Sequence, residues 1–156
     1  MSSLARKTHR LLLRQNKTVA TAESCTGGLL ARVLTDLPGS SAYFLLGIVA
    51  YHNQAKIKLL KVPAQLIAKK GAVCAEACRK MAQQVRKISG ADYGLGITGI
   101  AGPSGGTSAK PVGTVFIALA SAGKCLCRKF IFRGSRASIR RQATLKAMQL
   151  LRKGLC

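Results

Sequence analysis

The order of segments along this chain predicts a three-layer α/β/α sandwich with a mixed, mostly parallel sheet of about five strands. Short β-branched or apolar runs alternate with segments whose apolar residues recur every three to four positions, which supplies strands and enough helices for both faces of a sheet. The last two apolar runs lie close enough to pair as a hairpin, so one element of the sheet should be antiparallel. Length and composition agree. At 156 residues the chain makes one domain, 1–156, and 48% hydrophobic residues with a mean hydropathy of +0.19 can fill a core, which excludes intrinsic disorder.

Leu4, Thr8, Leu11, Leu12 and Gln15 follow helical spacing while Arg6, Lys7, Arg10 and Arg14 mostly face away, so the first helix spans about 4–15. Its three-leucine run is too short for a signal-peptide core, although an Arg-rich, acid-poor start leaves an organelle-transit reading open. Residues 18–22 (TVATA) read as a buried strand that runs into the turn-like stretch Ser24 to Gly28. Leu29, Leu30, Val33 and Leu34 then make a helix that Pro38-Gly39 ends. Leu45 to Tyr51 is a second strand, and Asn53 is placed to cap a helix through Leu60 that stops before Pro63. Pro63 suits the first turn of a short helix, 63–69, closed by Gly71. Over 75–89, Cys78, Met81, Ala82, Val85 and Ile88 form an apolar face opposite Arg79, Lys80, Gln83, Arg86 and Lys87.

Asp92 to Ile97 is a third strand, followed by a Gly/Ser/Pro loop from Thr98 to Pro111, long enough inside a small domain to suggest a function. Gly113 to Ala120 and Lys124 to Phe132 are the hairpin strands, and Ile139, Ala143, Ala147, Leu150 and Leu151 define a long final helix. Ligands of such sheets bind beyond the carboxyl ends of the parallel strands, where the loops at 23–28 and 98–113 both emerge.

Against 26 Lys+Arg stand only Glu23, Asp36, Glu76 and Asp92, giving a net charge of +22 and a pI near 10.8. The excess is spread along the whole chain and points to anionic partners. Seven aromatic residues offer little base-stacking surface and no nucleic-acid motif is present, so nucleic acid binding is expected to be at most non-specific, through charge. No stretch approaches the roughly 20 apolar residues of a membrane span, so no membrane partner is expected. The six cysteines read as reduced thiols of a cytoplasmic protein, because a chain this apolar needs no disulfide staples. Neither Cys74-x3-Cys78 nor Cys125-x-Cys127 has the partner motif of a zinc site, and no metal is expected.

Ser24 lies between a strand end and a helix start, where free backbone N–H groups converge on an oxyanion or phosphate. Ser24 or Thr26 would alternatively serve only to cap that helix. Tyr51 and Lys56, just past the second strand, can reach the same sheet end, and a desolvated lysine can take a proton from serine. His52 paired with Cys25 is a second arrangement, disfavoured because strand alternation sends His52 and Tyr51 to opposite faces. Arg136 and Arg140, four residues apart at the start of the last helix, could clamp a phosphate or simply form a solvated face.

Taken together, Thr21 to Gly28 (TAESCTGG), Gly39-Ser40-Ser41, Tyr51-x-Asn53-x-Ala55-Lys56, Gly71-Ala72-Val73, Thr98 to Pro103 (TGIAGP) and Lys110 to Val115 (KPVGTV) resemble the C-terminal domain of the CinA (competence-damage-inducible protein) family, in its stand-alone nicotinamide-nucleotide amidase form. The resemblance implies hydrolysis of the carboxamide of nicotinamide mononucleotide to nicotinic acid mononucleotide and ammonia, a step of pyridine nucleotide salvage. It implies Ser24 as nucleophile, Lys56 and Tyr51 as the groups that activate it, and Thr98 lining the site. Glu23, Thr26, Gly27, Gly28, Gly99, Ala101 and Gly102 are the expected substrate-binding residues, with Arg136 or Arg140 inferred to hold the phosphate. No cofactor is implied, since amide hydrolysis by a serine needs no metal. The expected partner is a small nucleotide substrate, and the expected assembly a homo-oligomer, dimer or higher. Ser104, Ser135 and Cys74 depart from the family pattern, which bears on substrate affinity more than on the catalytic set. The alternative function is a basic nucleic-acid-binding protein that keeps a relic amidase site.

Overall fold

The structure, a computed structural model, describes residues 2–156. Its elements in chain order are α1 (Ser2–Gln15), β1 (Val19–Glu23), α2 (Leu29–Thr35), a 3-10 turn (Ser40–Ala42), β2 (Phe44–Val49), α3 (Asn53–Leu60), α4 (Ala64–Lys70), α5 (Ala75–Ser89), β3 (Tyr93–Gly99), β4 (Thr114–Ser121), β5 (Lys124–Ile131) and α6 (Arg136–Leu155). The five strands form one sheet in the order β2-β1-β3-β4-β5. β1 pairs in parallel with β2 and β3, and β4 runs antiparallel to both β3 and β5, so four strands point one way and β4 alone runs against them. This is the mixed, mostly parallel sheet of a three-layer α/β/α fold. None of the described helices is long and apolar enough to cross a membrane.

Strand alternation sorts residues by size between the two faces. Val19 of β1, Leu95 and Ile97 of β3, and Val115, Ile117 and Leu119 of β4 pack with Leu12 of α1, Leu30 and Leu34 of α2, and Ile139, Ala143 and Leu151 of α6. The opposite face presents Ala20 and Ala22 of β1, Gly94 and Gly96 of β3, and Ala118 and Ala120 of β4 to the layer of α3, α4 and α5. Small residues there let α5 lie directly on the sheet: a Cβ on Gly94 would meet the Ala82 carbonyl at 2.2 Å, and one on Gly96 the Cys78 carbonyl at 2.6 Å. The large-residue face supplies most of the apolar burial, and the small-residue face sets how closely α5 approaches.

Several boundaries differ from the sequence expectation by a residue or two: β3 runs on to Gly99, taking in Thr98 and Gly99 that were expected to open the long loop, and two changes after β1 shape the site. β2 ends at Val49, not Tyr51: Ala50 gives its N–H to Glu23 O at 2.8 Å as a last rung to β1, and the chain then turns into α3. α3 is capped by His52, whose Nδ1 accepts from Gln54 N at 3.2 Å, and not by Asn53, which is its first residue. The long loop is pinned at its base, where Ile100 donates to Thr114 O and Gly113 to Ile100 O. The starts of β1 and β3 are tied by Asp92, whose carboxylate accepts from Lys17 Nζ, Thr18 N and Thr18 Oγ1, each at 2.9 Å.

Candidate functional site

The carboxyl ends of β2, β1 and β3 lie side by side, because all three strands run the same way. From β1 the chain goes to one side to form β2 and later returns on the other as β3, so a crevice opens at those ends. An open cleft of about 290 Å³ fills it. Each neighbouring element contributes to the lining: Ser24 and Cys25 after β1, Tyr51 after β2, Asn53 and Lys56 of α3, Ala72 and Val73 before α5, Thr98 and Gly99 at the end of β3, the loop from Ile100 to Gly105 except Pro103, and Arg136 at the start of α6.

Ser24 is 8% exposed, and its backbone is fixed by Ser24 N donating to Ile97 O at 2.9 Å and by Ser24 O accepting from Gly27 N at 3.0 Å. The hydroxyl therefore stands on a rigid turn. Lys56 is 2% exposed, and its Nζ donates to Tyr51 O at 2.8 Å. Burial lowers its pKa from the ordinary lysine value, and the Cys25 sulfur nearby only partly opposes that shift. A buried lysine with no carboxylate partner is inclined to lose its proton and act as a base. Burial has the opposite effect on the adjacent thiol, pushing Cys25 up to about 11, so it stays protonated near neutral pH. His52 is occupied at the α3 cap and does not line the cleft, which leaves a Cys25–His52 pair without support.

Thr98 is buried and donates to Ala72 O at 3.1 Å, joining the end of β3 to the segment before α5. Arg136 spans the mouth of the cleft: Nη1 donates to Gly102 O at 2.8 Å and Nη2 to the Tyr51 hydroxyl at 2.5 Å. Two of its five N–H groups are used this way, and the rest remain for an anion. Tyr51 itself is 55% exposed at the rim, with its ring outside the core.

Of the residues singled out in the sequence, the structure brings Ser24, Tyr51, Lys56, Thr98, Gly99, Ala101, Gly102 and Arg136 into one cleft. Glu23, Thr26, Gly27, Gly28 and Arg140 lie outside its lining. Glu23 is 1% exposed and accepts from Gly28 N, Leu30 N and Ala31 N at 3.1, 3.1 and 2.8 Å, so its carboxylate caps α2. Alternation along β1 explains this, because Glu23 shares the face of Val19, against which α2 packs. It also removes the reading of Ser24 or Thr26 as the cap. Neither hydroxyl caps α2, whose N-cap residue is Gly28. Arg140 reaches back from α6 and gives Nε and Nη2 to Thr26 O at 3.2 and 2.7 Å, holding the turn that carries Ser24. Cys25, weighed in the sequence only as a partner of His52, also lines the cleft, and Asn53, Ala72, Val73, Ile100, Ser104 and Gly105 join the lining without having been expected as site residues. For Asn53 the available signal was its helical spacing of three from Lys56, which puts both on one face of α3.

The model of the CinA C-terminal domain matches residues 1–155. CinA-like proteins of Geotalea uraniireducens and Geotalea daltonii are 54% and 53% identical over 138 and 145 residues, which is 88% and 93% of this chain but 33% and 35% of theirs. The chain thus spans about a third of the length of these curated relatives. Among solved structures, a CinA superfamily protein of Klebsiella pneumoniae superposes with a TM-score of 0.94 at 33% identity, covering 98% of this chain and 96% of that one. The competence/damage inducible protein of Agrobacterium tumefaciens gives a TM-score of 0.94 at 36% identity, over 98% and 93% of the two chains.

Proposed function

The chain belongs to the CinA C-terminal domain family, and from that membership and the cleft we propose that it hydrolyses the carboxamide of nicotinamide mononucleotide, releasing nicotinic acid mononucleotide and ammonia. The observation that carries the reading is the placement of Ser24 and a buried lysine, Lys56, with its pKa lowered, in one cleft at the ends of the parallel strands.

Neutral Lys56 takes the proton of Ser24 as Oγ attacks the carboxamide carbon. The carbonyl oxygen becomes an oxyanion, held by backbone N–H groups of the turn after β1. Lys56 then passes the proton to the departing nitrogen, the C–N bond breaks, and ammonia leaves an acyl-Ser24 ester. Water attacks that ester, Lys56 accepts the water's proton and returns it to Ser24 Oγ, and the carboxylate product departs. Tyr51 O keeps Nζ in place, and Thr98 fixes the wall opposite through Ala72. Arg136 receives the phosphate at the cleft mouth, with the N-terminus of the 20-residue α6 behind it. The volume of about 290 Å³ sits near the lower end of small-molecule sites, roughly 300 Å³, and the open side leaves room for part of the ligand to protrude.

The test is ammonia release from nicotinamide mononucleotide, with nicotinic acid mononucleotide quantified in parallel. Equal yields of the two products that vanish in Ser24→Ala support the reading. No release above that of Ser24→Ala at millimolar substrate overturns it.

A further inference from the structure

Three of the six cysteines gather outside the cleft lining, on the small-residue face of the sheet. β3, β4 and β5 are in register there in two adjacent rows, Gly96–Ala118–Cys127 and Gly94–Ala120–Cys125. α5 lies across both. Its Cys78 carbonyl is over Gly96, while its Ala82 carbonyl and Arg86 Cβ are over Gly94, one helical turn and more further on. Cys78 therefore stands over the row that runs from Gly96 through Ala118 to Cys127, in the same small-residue cluster against which Cys127 packs. Cys78 is fully buried, its Sγ donating to Gly96 O at 3.3 Å, and it forms a cluster with Ala82, Ala118 and Ala120 against which the half-buried Cys125 and Cys127 pack. All three thiols are free.

We propose that Cys78 and Cys127 form a modification site: a thiol pair that a hydroperoxide converts into a disulfide linking α5 to the edge strand β5. The roles follow from position and charge. Cys127 is the outer, half-buried partner, and the neighbouring Cys78 thiol together with the Arg79 charge holds its pKa below the ordinary thiol value. Burial pushes Cys78 up. Cys127 is the attacking thiolate and Cys78 the resolving thiol. In the first step the Cys127 sulfur attacks the peroxide, an S–O bond forms, the O–O bond breaks, and the departing alkoxide or hydroxide takes a proton. In the second step the Cys78 sulfur attacks the Cys127 sulfenic acid, and hydroxide leaves with the Cys78 proton as water. The sum is two thiols and one hydroperoxide giving one disulfide, one alcohol or water, and one further water.

The experiment exposes the whole chain to a few equivalents of hydrogen peroxide and reads the monomer mass and the non-reduced peptide map. The proposal expects loss of two hydrogens, a cross-linked peptide containing Cys78 and Cys127, and reversal by dithiothreitol. Cys125→Ser keeps the cross-link and Cys127→Ser abolishes it. Cys78→Ala, should it fold, lets dimedone trap Cys127 as a sulfenic acid. If Cys78→Ala does not fold, Cys127→Ser on the edge strand still decides the question. A Cys78–Cys125 cross-link overturns the proposal, as does a Cys127 that stays a free thiol while Cys156 oxidises.

Discussion

Removing the Glu23 carboxylate should unfold the protein at markedly lower temperature, because that group does what an N-cap side chain normally does for α2. It is 1% exposed and accepts three backbone N–H groups, from Gly28, Leu30 and Ala31. A hydrogen bond to a charged group contributes about 1.5–3 kcal/mol, and a buried donor left without a partner costs about 1–3 kcal/mol. Three such bonds do not add fully, since desolvation of the carboxylate offsets part of them and water can follow a truncation into the site. Glu23→Ala should therefore cost about 3–5 kcal/mol. For a domain of this size each kcal/mol moves Tm by about 2–4 °C, so the expected drop is about 6–20 °C. Glu23→Gln keeps one carbonyl acceptor but turns an NH2 toward N–H donors, and should lose about 2–3 kcal/mol. Thermal melting and urea titration at one pH measure both variants. Were Glu23 a substrate contact, Glu23→Gln would instead raise KM for the nucleotide and leave Tm where it was. A Glu23→Ala variant that melts within about 2 °C of the parent refutes the capping argument.

Ser24→Ala should lower kcat by about three orders of magnitude or more in an ammonia-release assay with Tm nearly unchanged, whereas Cys25→Ala, which removes a thiol protonated up to about pH 11, should stay active. A Cys25→Ala variant as inactive as Ser24→Ala, with Tm unchanged, would contradict this assignment. Burial holds Lys56 below the usual lysine pKa, so the fraction of neutral base and hence kcat/KM should rise with pH through that lowered value, and Lys56→Arg should be inactive at every pH because guanidinium does not deprotonate. An active Lys56→Arg with an unchanged pH profile removes Lys56 from the mechanism. Arg136→Ala should raise KM for the mononucleotide and hardly alter KM for the phosphate-free riboside. It should also move the acid limb of the nucleotide profile to higher pH, since a phosphate without its guanidinium favours protonated Lys56. Equal losses with both substrates mean that the phosphate is held elsewhere.

The fold was legible because its signals are local. The 3.6-residue period in α5, the TVATA run of β1 and the short turn between β4 and β5 each depend on neighbours within a few residues. The cleft was legible in part for the same reason: Ser24, Tyr51 and Thr98 lie at or just past strand ends, and parallel pairing of β2, β1 and β3 brings those ends together. What escaped depends on contacts the local pattern does not encode. Glu23 caps a helix that begins six residues further on, across a turn with Gly27 and Gly28 at positive φ, and ordinary capping rules look for the cap next to the helix. Arg140 is separated from Thr26 by 114 residues, so its role in holding the Ser24 turn follows only from tertiary packing.

With four acids against 26 basic residues, where the acids lie decides the character of the cleft. Glu23 is committed to the N–H groups of α2, Asp92 to Lys17 and Thr18 at the starts of β1 and β3, and Glu76 to Lys70. None of the four lines the cleft, whose charged side chains are Lys56 and Arg136. A carboxylate beside Lys56 would stabilise its ammonium form and oppose the loss of its proton. Without one, burial sets the balance toward the neutral amine. Arg136 faces no such competition, because a guanidinium keeps its charge in either setting. On the proposed reading, the same shortage of acids leaves Arg136 free to receive an anion at the cleft mouth and Lys56 free to accept a proton in the cleft that Ser24 also lines, the two groups that an amide hydrolase for a phosphorylated substrate requires.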